Sequence, residues 1–360
     1  MRNILLINNG LSGGGTERAS ISFAHYLVEQ GFEVAVLALY QSIPFYKLDS
    51  RVKFIEPTFS RSGISTYRYI MRMMSFVRKN VKTLRPDTIL SYNEWTNAYV
   101  VLACLGLNVP LYISERMHPK AKLPFSTELL RQLLYRKASG VVAQTAFGKR
   151  IIQQKTKAKN VVAIPNAVNV ILPLNVIKRK QIVAVGRLEK VKGHRFLLEA
   201  FAKIKNSEWK LCIVGDGSEK DTLIQLTRDL NISNRVEFKG HLLDFRKELS
   251  ESEIYVLPSI KEGFPNSLIE AMSLPLACIS GDFYEGEHDL VKHEFNGLLV
   301  PPENTIELAK AIDRLIEDDT LRESIAQKAF HVREELAFDR VSEELKNFII
   351  LDEKHKKELK

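Results

Sequence analysis

The sequence has few cysteines and no long hydrophobic run, and both absences restrict where the protein works. Its three cysteines, Cys104, Cys212 and Cys278, are widely spaced and odd in number, which favours a reducing compartment and argues against a cysteine-based metal site. No apolar run reaches the roughly 18 residues of a membrane-spanning helix; the longest, 98–113, contains an asparagine and a proline. The apolar stretch at 4–7 is too short for the core of a signal peptide. We therefore expect a cytoplasmic protein.

The composition is that of an ordinary globular protein. Of the 360 residues, 45% are hydrophobic and 26% charged, which argues against disorder, collagen and coiled coil. No tandem repeat or low-complexity segment is present. The length predicts two domains of roughly 150–200 residues each.

Positive charge is concentrated in the first half of the chain. Residues 1–165 carry 23 Lys and Arg against 9 Asp and Glu, whereas residues 166–360 carry 29 against 34. Between Glu56 and Asp87 there is no acidic residue, and the basic residues there are Arg61, Arg68, Arg72, Arg78, Lys79, Lys82 and Arg85. This asymmetry predicts an anionic partner for the first half: membrane lipid, nucleic acid or a phosphorylated substrate.

Short β-branched runs alternate with segments of helical period, which predicts an α/β fold with parallel sheets. A looser segment at 164–180 separates two such series and resembles a linker. We therefore predict a first domain at 1–165 and a second at 166–338. The predicted strands lie at 3–8, 33–39, 87–91, 110–113, 140–144, 160–164, 181–185, 209–214, 235–238, 254–257 and 276–280.

The segment GRLEKVKG at 186–193 follows an apolar strand and precedes a helix. Loops at the carboxyl ends of parallel strands are where such folds bind ligands. The terminal glycines allow tight turns, and Arg187 and Lys192 could bracket a diphosphate from two sides. The alternative is a surface loop with two solvated cations.

The segment SIKEGFPNSLIEAM at 259–272 also follows a strand and begins a helix. Its PNS triplet is a good helix start whose free N–H groups could face a phosphate. Glu262 precedes the helix and Glu270 lies about two turns inside it, so the carboxylates could flank one elongated ligand and accept hydrogen bonds from its hydroxyls. The alternative is that Glu262 caps the helix and Glu270 is exposed.

Two glycine-rich segments also follow strands. GDG at 215–217 is a strand-to-helix turn of a kind that any α/β fold uses. NGLSGGGTER at 9–18 has neither the spacing of a dinucleotide-binding loop nor that of an ATP-binding P-loop, so both of those functions lose support. Its consecutive glycines still permit a ligand to approach the backbone closely.

Taken in order, these segments resemble the family-4 retaining glycosyltransferases, including those of bacterial surface-polysaccharide and lipid-linked oligosaccharide synthesis. The resemblance covers nearly the whole chain, because IPNAV at 164–168 and NGLLVP at 296–301 also match the family pattern. It implies the GT-B fold, an α/β architecture of two Rossmann-like domains that face each other across a cleft. It further implies that a C-terminal helix at 339–353 packs back on the first, acceptor-binding domain.

The resemblance implies a role for each segment. Arg187 and Lys192 would hold the diphosphate of a nucleotide sugar and Glu262 would contact the transferred sugar; with His118 they are the predicted catalytic residues. Glu270 would bind the nucleotide ribose. The other predicted substrate-binding residues are Gly13, Gly14 and Gly15 at the cleft, Arg116, Gly215, and Phe264, Pro265, Asn266 and Ser267, whose amides would support the phosphates or the sugar.

The resemblance also implies a mechanism. Such enzymes retain the anomeric configuration by same-face attack, and the leaving phosphate helps to deprotonate the acceptor. The chain has no D-x-D triplet, so we expect no metal and no cofactor, with Arg187 and Lys192 stabilising the leaving-group charge instead. The expected reaction moves a hexose or N-acetylhexosamine from a nucleotide sugar, preferably a UDP-sugar, to a lipid-linked or surface glycan.

Two segments depart from the family pattern. Many relatives carry a histidine near the acceptor after the fourth or fifth strand; here ISERMHP at 113–119 places Arg116 at that point and His118 two residues later. His118 is alternatively an ordinary loop residue. SGDFYEGEHDL at 280–290 replaces the usual Gly-Gly-x-x-Glu segment, and since this loop could contact the sugar or its distal phosphate, the identity of the donor stays open.

The basic stretch at 61–85 interleaves cations with Tyr, Met and Phe, as an interfacial helix would. Anionic membranes attract roughly 1 kcal/mol per nearby cation, which would hold the enzyme on the inner face of the membrane beside a polyprenyl-diphosphate-linked acceptor. The alternative is an ordinary helix with its apolar side on the core and a solvated basic face. Further cations that could join the patch are Lys120, Lys122, Arg131, Arg136 and Lys137.

Three other functions compete with this one. An epimerase of the same fold is disfavoured by the spacing of Glu262 and Glu270 together with Arg187 and Lys192. An inert partner subunit would be expected to have lost one of these residues. Nucleic-acid binding is supported only by the charge of the first half, without a recognised RNA- or DNA-binding module.

Overall fold

A computed structural model describes residues 2–12, 14–43, 45–167, 171–286 and 288–358, with 351–358 given as helix backbone only. The chain divides into two compact units, Met1–Ala167 together with Asp339–Lys360, and Val168–Phe338. Each unit contains one parallel sheet with helices packed on it, which confirms the predicted α/β class. Within the described part of the chain, no helix is both long and apolar enough to cross a bilayer.

The first unit is built on seven parallel strands. They are β1 (Asn3–Asn8), β2 (Glu33–Ala38), β3 (Lys53–Ile55), β4 (Thr88–Tyr92), β5 (Leu111–Ser114), β6 (Gly140–Ala143) and β7 (Val161–Ala163). Their order in the sheet is β3-β2-β1-β4-β5-β6-β7. The helices that connect them are α1 (Gly15–Glu29), α2 (Thr66–Leu84), α3 (Glu94–Cys104), α4 (Phe125–Leu134) and α5 (Ala146–Thr156).

The second unit is built on six parallel strands. They are β8 (Gln181–Val185), β9 (Lys210–Val214), β10 (Val236–Gly240), β11 (Ile254–Leu257), β12 (Ala277–Gly281) and β13 (Leu298–Val300), in the order β10-β9-β8-β11-β12-β13. Its helices are α6 (His194–Phe201), α7 (Lys220–Asp229), α8 (Arg246–Glu251), α9 (Asn266–Met272), α10 (Thr305–Glu317), α11 (Asp319–Ala329) and α12 (Val332–Glu335).

The last helix, α13 (Phe338–Glu358), packs on the first unit. The hydroxyl of Tyr26 in α1 donates to Glu343 at 2.6 Å, and the rings of Tyr112 in β5 and Phe348 lie 5.2 Å apart. The polar contact and the apolar contact together fix the helix on that unit.

The central strands are almost continuously apolar because helices cover both faces of each sheet. Ile4, Leu5, Leu6 and Ile7 of β1, for example, are all fully buried. Sequence analysis missed β3 and β13, which are three-residue strands at the sheet edges. So short an edge strand leaves too few residues for an alternation pattern to be recognised.

The strand order reverses direction between β1 and β4 in the first sheet and between β8 and β11 in the second. In open parallel sheets, the loops that follow such a pair of strands separate and leave a crevice at the carboxyl ends, where ligands bind. In the second unit these loops are 186–193 and 258–265, the two segments that carry the predicted donor-binding residues.

Candidate active site

The loops after β8 and β11 meet at the carboxyl edge of the second sheet. The N–H of Ile260 donates to the carbonyl of Val191 at 2.9 Å, which ties one loop to the other. Gly193 has a φ of +69°, and a Cβ at this position would collide with the carbonyl oxygen of Pro258. Glycine is required by both the left-handed backbone and the close approach. The last glycine of GRLEKVKG therefore lets its loop lie against the next one.

This arrangement brings Lys192 and Glu262 together. The Nζ of Lys192 lies 2.6 Å from Oε1 of Glu262, and the hydroxyl of Ser259 donates to the same oxygen at 2.6 Å. Glu262 is buried, whereas the Lys192 side chain is 20% exposed. Glu262 does not cap α9, so that alternative is wrong: Pro265 occupies the N-cap and makes no side-chain cap bond.

Arg187 lies on the same loop, five residues before Lys192. It is exposed, and among the described residues its side chain has no hydrogen-bond or ion-pair partner. The backbone beneath it is supported by the GDG turn, because the N–H of Leu188 donates to the carbonyl of Asp216 at 2.9 Å. Gly215 packs directly against the carbonyl of Gly186. The loop therefore presents, on a fixed backbone, a guanidinium that no described residue pairs with.

Glu270 lies in the second turn of α9 and is buried, so the alternative of an exposed Glu270 is wrong. At the start of the helix, Phe264 and Pro265 are buried. The N–H of Asn266 donates to the carbonyl of Phe264 at 3.0 Å, and the hydroxyl of Ser267 bonds to that of Tyr255 at 2.9 Å. The backbone that follows Glu262 is thus folded tightly onto β11.

The loop after β12 also reaches this region. The hydroxyl of Tyr284 donates to the carbonyl of Gly263 at 2.6 Å, next to Glu262. Burial raises the pKa of Tyr284 well above its ordinary value, and the negative charge of Glu262 acts in the same direction, so the phenol stays a neutral donor. The ring of His288 lies 5.0 Å from that of Tyr284. Glu287, on the same loop, lies outside the described residues.

His194 is a buried histidine directly behind the Gly186–Gly193 loop. Neither ring nitrogen makes a hydrogen bond of ordinary geometry among the described residues, although the ring faces the backbone of Gly186 and Arg187. Burial lowers the pKa of His194 to about 4, and the positive charge of Lys192 acts in the same direction. The imidazole is therefore neutral at pH 7. The sequence predicted only that a helix follows this loop.

In the first unit, Arg116 follows β5 and is held from several sides. Its guanidinium donates to Asn166 and stacks on the Tyr92 ring, 5.0 Å from the centroid. The backbone N–H groups of Arg116 and Met117 both donate to the carboxylate of Glu94. Burial raises the pKa of Glu94 to about 7, and the neighbouring Glu115 acts in the same direction. Sequence analysis missed Glu94, which begins a largely apolar helix.

Behind this loop, Glu115 and Arg131 form a buried ion pair. The Nε of Arg131 lies 2.6 Å from one oxygen of Glu115, and its second nitrogen donates to the other oxygen at 2.7 Å. Arg131 is only 3% exposed, so it does not belong to a basic surface patch as expected. His118 is half-buried; its ring lies 6.1 Å from Phe147, and its Nδ1 accepts from the N–H of Lys120.

The glycine-rich loop after β1 leads directly into α1. Gly14 occupies the N-cap and Gly15 is the first helical residue. The hydroxyl of Tyr46 donates to the carbonyl of Gly14 at 3.2 Å. Gly13 lies outside the described residues. Both described glycines thus lie at the carboxyl end of β1, where the first sheet reverses its strand order.

Two family models match the chain one after the other. Residues 13–171 match Glycosyltransferase Family 4, and residues 174–332 match Glycosyl transferases group 1. The two matches together contain the three glycines at 13–15, the GDG turn at 215–217 and both loops of the candidate active site.

Individual relatives match over almost the full length. An uncharacterized glycosyltransferase of Haemophilus influenzae is 29% identical over 94% of this chain and 97% of its own. An α-1,4-N-acetyl-D-galactosaminyltransferase of Campylobacter jejuni, named for a lipid-linked GalNAc-diNAcBac-PP-undecaprenol substrate, is 26% identical over 96% of this chain and 97% of its own.

Solved structures show the same fold. Anabaena HepE in complex with UDP superimposes with a TM-score of 0.81 at 20% identity, covering 96% of this chain and 99% of that one. The lipopolysaccharide outer core galactosyltransferase WaaB superimposes with a TM-score of 0.79 at 21% identity over the same shares. The predicted GT-B fold class is confirmed. The chain therefore belongs to the glycosyltransferases, with a family 4 domain followed by a group 1 domain.

Proposed function

We propose that this glycosyltransferase moves a hexose or N-acetylhexosamine from a UDP-sugar to a lipid-linked glycan with retention of the anomeric configuration. The observation that carries the proposal is the meeting of Lys192 and Glu262 across two loops at the strand-order reversal, with Arg187 on the same loop as Lys192. A nucleotide sugar needs cations for its diphosphate and a carboxylate for its sugar hydroxyls. Both groups lie in one small region of the second unit.

In this proposal Arg187 and Lys192 bind the diphosphate. When the bond between the sugar and the phosphate breaks, negative charge grows on the leaving oxygen, and two fixed cations stabilise it without a divalent metal. Arg187 is the immediately available cation, because its guanidinium is exposed and has no partner among the described residues. Lys192 is paired with Glu262 and must exchange that partner for phosphate oxygens.

The two carboxylates take separate parts of the donor. Glu262 accepts hydrogen bonds from hydroxyls of the sugar, and Glu270 accepts them from the ribose. The support is that both are buried and lie on either side of the start of α9. The backbone of Phe264, Pro265, Asn266 and Ser267 lies between them. UDP is favoured because HepE, which shares the fold, was solved with UDP and with UDP-glucose.

The acceptor side is assigned to the first unit. Arg116 and His118 lie on the loop after β5, and Gly14 and Gly15 lie where the loop after β1 enters α1. A lipid-linked acceptor is favoured by the Campylobacter relative, whose name states an undecaprenyl-diphosphate substrate. We assign the phosphate groups of such an acceptor to the excess positive charge of this half of the chain.

Such an acceptor would require the enzyme to lie on the membrane surface. In α2, Tyr69, Met73 and Val77 are buried in the core, as the ordinary-helix alternative describes, whereas Tyr67 and Met71 are 72% and 47% exposed. Better support comes from α4, where Phe125, Leu129 and Leu133 are 85%, 45% and 48% exposed. Residues four apart share one helix face, so they form a single apolar stripe. The exposed cations that flank this helix in the sequence are Lys122, Arg136 and Lys137.

The test is a thermal-shift panel of nucleotides and nucleotide sugars with EDTA present throughout. A ligand at about 100 times its dissociation constant stabilises the folded state by roughly 2.7 kcal/mol, which raises the melting temperature visibly. We expect UDP and one UDP-sugar to raise the melting temperature. In a transfer assay, we expect the sugar of that donor to appear in the product with its α or β configuration retained. Stabilisation by no nucleotide would favour the inert-subunit alternative, and an epimerised UDP-sugar in the absence of acceptor would favour the epimerase.

A further inference from the structure

Ser259 is a fully buried serine that touches the proposed sugar-binding carboxylate. It follows β11 and Pro258, and its hydroxyl donates to Oε1 of Glu262 at 2.6 Å. This serine begins the segment SIKEGFPNSLIEAM and lies three residues before Glu262. A short hydrogen bond to a carboxylate is charge-assisted and roughly twice as strong as a neutral one.

The two oxygens of Glu262 have different surroundings. Oε1 receives both the Ser259 hydroxyl and the Lys192 ammonium. A carboxylate oxygen has two lone-pair sites, so these two donors fill Oε1. Among the described residues, Oε2 receives no hydrogen bond. The carboxylate therefore has one oxygen bound by the protein and one whose acceptor sites remain for a ligand.

We propose that Ser259 is a positioning residue that holds Glu262 with Oε2 directed to hydroxyls of the donor sugar. The inference rests on the proposed function, in which Glu262 binds the sugar and Lys192 binds the diphosphate. When Lys192 turns to the phosphates, Ser259 is the donor that still fixes Oε1. Without it, the carboxylate would lose its remaining protein contact at the moment the sugar arrives.

The backbone of Ser259 is fixed well enough for this role. The next residue, Ile260, donates its N–H to Val191 on the neighbouring loop at 2.9 Å. On the other side, a Cβ at Gly281 in β12 would lie 2.6 Å from the carbonyl oxygen of Ser259, so the backbones of these two residues are in close contact. A hydroxyl on a backbone held from both sides has little freedom to leave its acceptor.

The test compares Ser259→Ala and Ser259→Thr with the control Ser273→Ala. Ser273 is also buried and in the same unit, but its hydroxyl donates to the carbonyl of Ile269 at 2.8 Å, away from Glu262. Loss of a hydrogen bond to a charged group predicts a fall in kcat/KM of about 10- to 100-fold for Ser259→Ala. The dissociation constant of UDP, which lacks the sugar, should change less than about twofold. Ser259→Thr, which keeps the hydroxyl, should recover most of the lost activity.

Two results would overturn the inference. One is a kcat/KM of Ser259→Ala that equals that of the wild type. The other is that Ser259→Ala and Ser273→Ala lose kcat/KM to the same extent and lose UDP affinity to the same extent, which would mean a merely structural role. Glu262→Ala, measured in parallel, separates this inference from the proposed function. If Glu262→Ala is inactive while Ser259→Ala is normal, only the positioning role fails. If Glu262→Ala is fully active, the site assignment and this inference both fail.

Discussion

Lys192 and Glu262 neutralise each other at the carboxyl edge of the second sheet, with 2.6 Å between Nζ and Oε1. The pair joins the loops that follow β8 and β11, which lie 70 residues apart in sequence. A diphosphate that binds Lys192 must compete with the carboxylate for the same ammonium. The pair therefore couples the phosphate-binding and sugar-binding parts of the proposed site.

Replacing Glu262 by glutamine should separate nucleotide binding from transfer. The variant Glu262→Gln removes the charge that neutralises Lys192, so UDP should bind at least as tightly as in the wild type. Transfer should fall by about 100-fold or more, because the fixed carboxylate no longer supports the sugar in the transition state. Calorimetry of UDP binding and an assay of UDP release measure the two effects. A loss of UDP affinity equal to the loss of turnover would contradict this account.

Alanine should be much less well tolerated at Gly193 than at Gly240, although both glycines have a φ of +69°. At Gly240 no atom of the described residues lies within 4 Å of an added Cβ, whereas at Gly193 the Cβ would meet the carbonyl of Pro258. Gly240→Ala should cost only the left-handed backbone penalty of roughly 1–2 kcal/mol. Gly193→Ala should cost a further ~2 kcal/mol from the collision. Urea denaturation of both variants measures the difference, and equal losses would show that the two loops do not approach so closely.

The buried pair of Glu115 and Arg131 should contribute strongly to the stability of the first unit. Arg131→Met leaves the Glu115 carboxylate buried without its cation, which typically costs about 3–5 kcal/mol in the free energy of unfolding. The exposed pair of Lys180 and Glu208 is the control, since Lys180→Met should leave the denaturation midpoint unchanged. A midpoint for Arg131→Met equal to that of the control would contradict the burial of the pair.

Glu94 should make stability depend on pH below neutrality. Its pKa rises to about 7 in the folded state from 4.5, so the folded protein holds a proton that the unfolded chain releases. The stability linked to this proton is complete below about pH 4.5 and is lost as the pH rises to about 7, on the order of 3 kcal/mol in total. Glu94→Gln carries no titrating proton, so its stability relative to wild type should increase across that window. Melting temperatures of the two proteins that changed in parallel from pH 5 to pH 8 would refute the assignment.

The apolar stripe of α4 should bind anionic membranes. Phe125→Ser, Leu129→Ser and Leu133→Ser combined should weaken binding to phosphatidylglycerol vesicles by on the order of tenfold or more. The control changes Leu243, Phe295 and Ile306 to serine, which are comparably exposed apolar residues of the second unit. Co-sedimentation measures both. Equal binding of the two triple variants would contradict the proposed membrane contact of α4, but it would not contradict the proposed transfer reaction.

Sequence reasoning predicted the parts of the molecule that local patterns determine. Lys192 and Glu262 could be located because each lies in a loop that follows a strand and precedes a helix, and such loops at the carboxyl ends of parallel strands are where ligands bind. It could not predict which groups fill the oxygens of Glu262, since the Ser259 contact depends on side-chain directions within a turn. Nor could it predict that Glu94 and Arg131 are buried, because charged residues in helices are ordinarily exposed. Both depend on partners distant in the sequence, Arg116 and Glu115 respectively.

The most direct test of the central claim is calorimetry of the UDP-sugar selected by the thermal-shift panel, in EDTA, against four proteins. Arg187→Met and Lys192→Met each remove a cation assigned to the diphosphate, and each should weaken binding by about 10- to 100-fold. Lys190→Met removes an exposed cation from the same loop that has no assigned role, so its affinity should match that of the wild type. Unchanged affinity in Arg187→Met and Lys192→Met, or an equal loss in Lys190→Met, would contradict the claim that these two residues bind the donor.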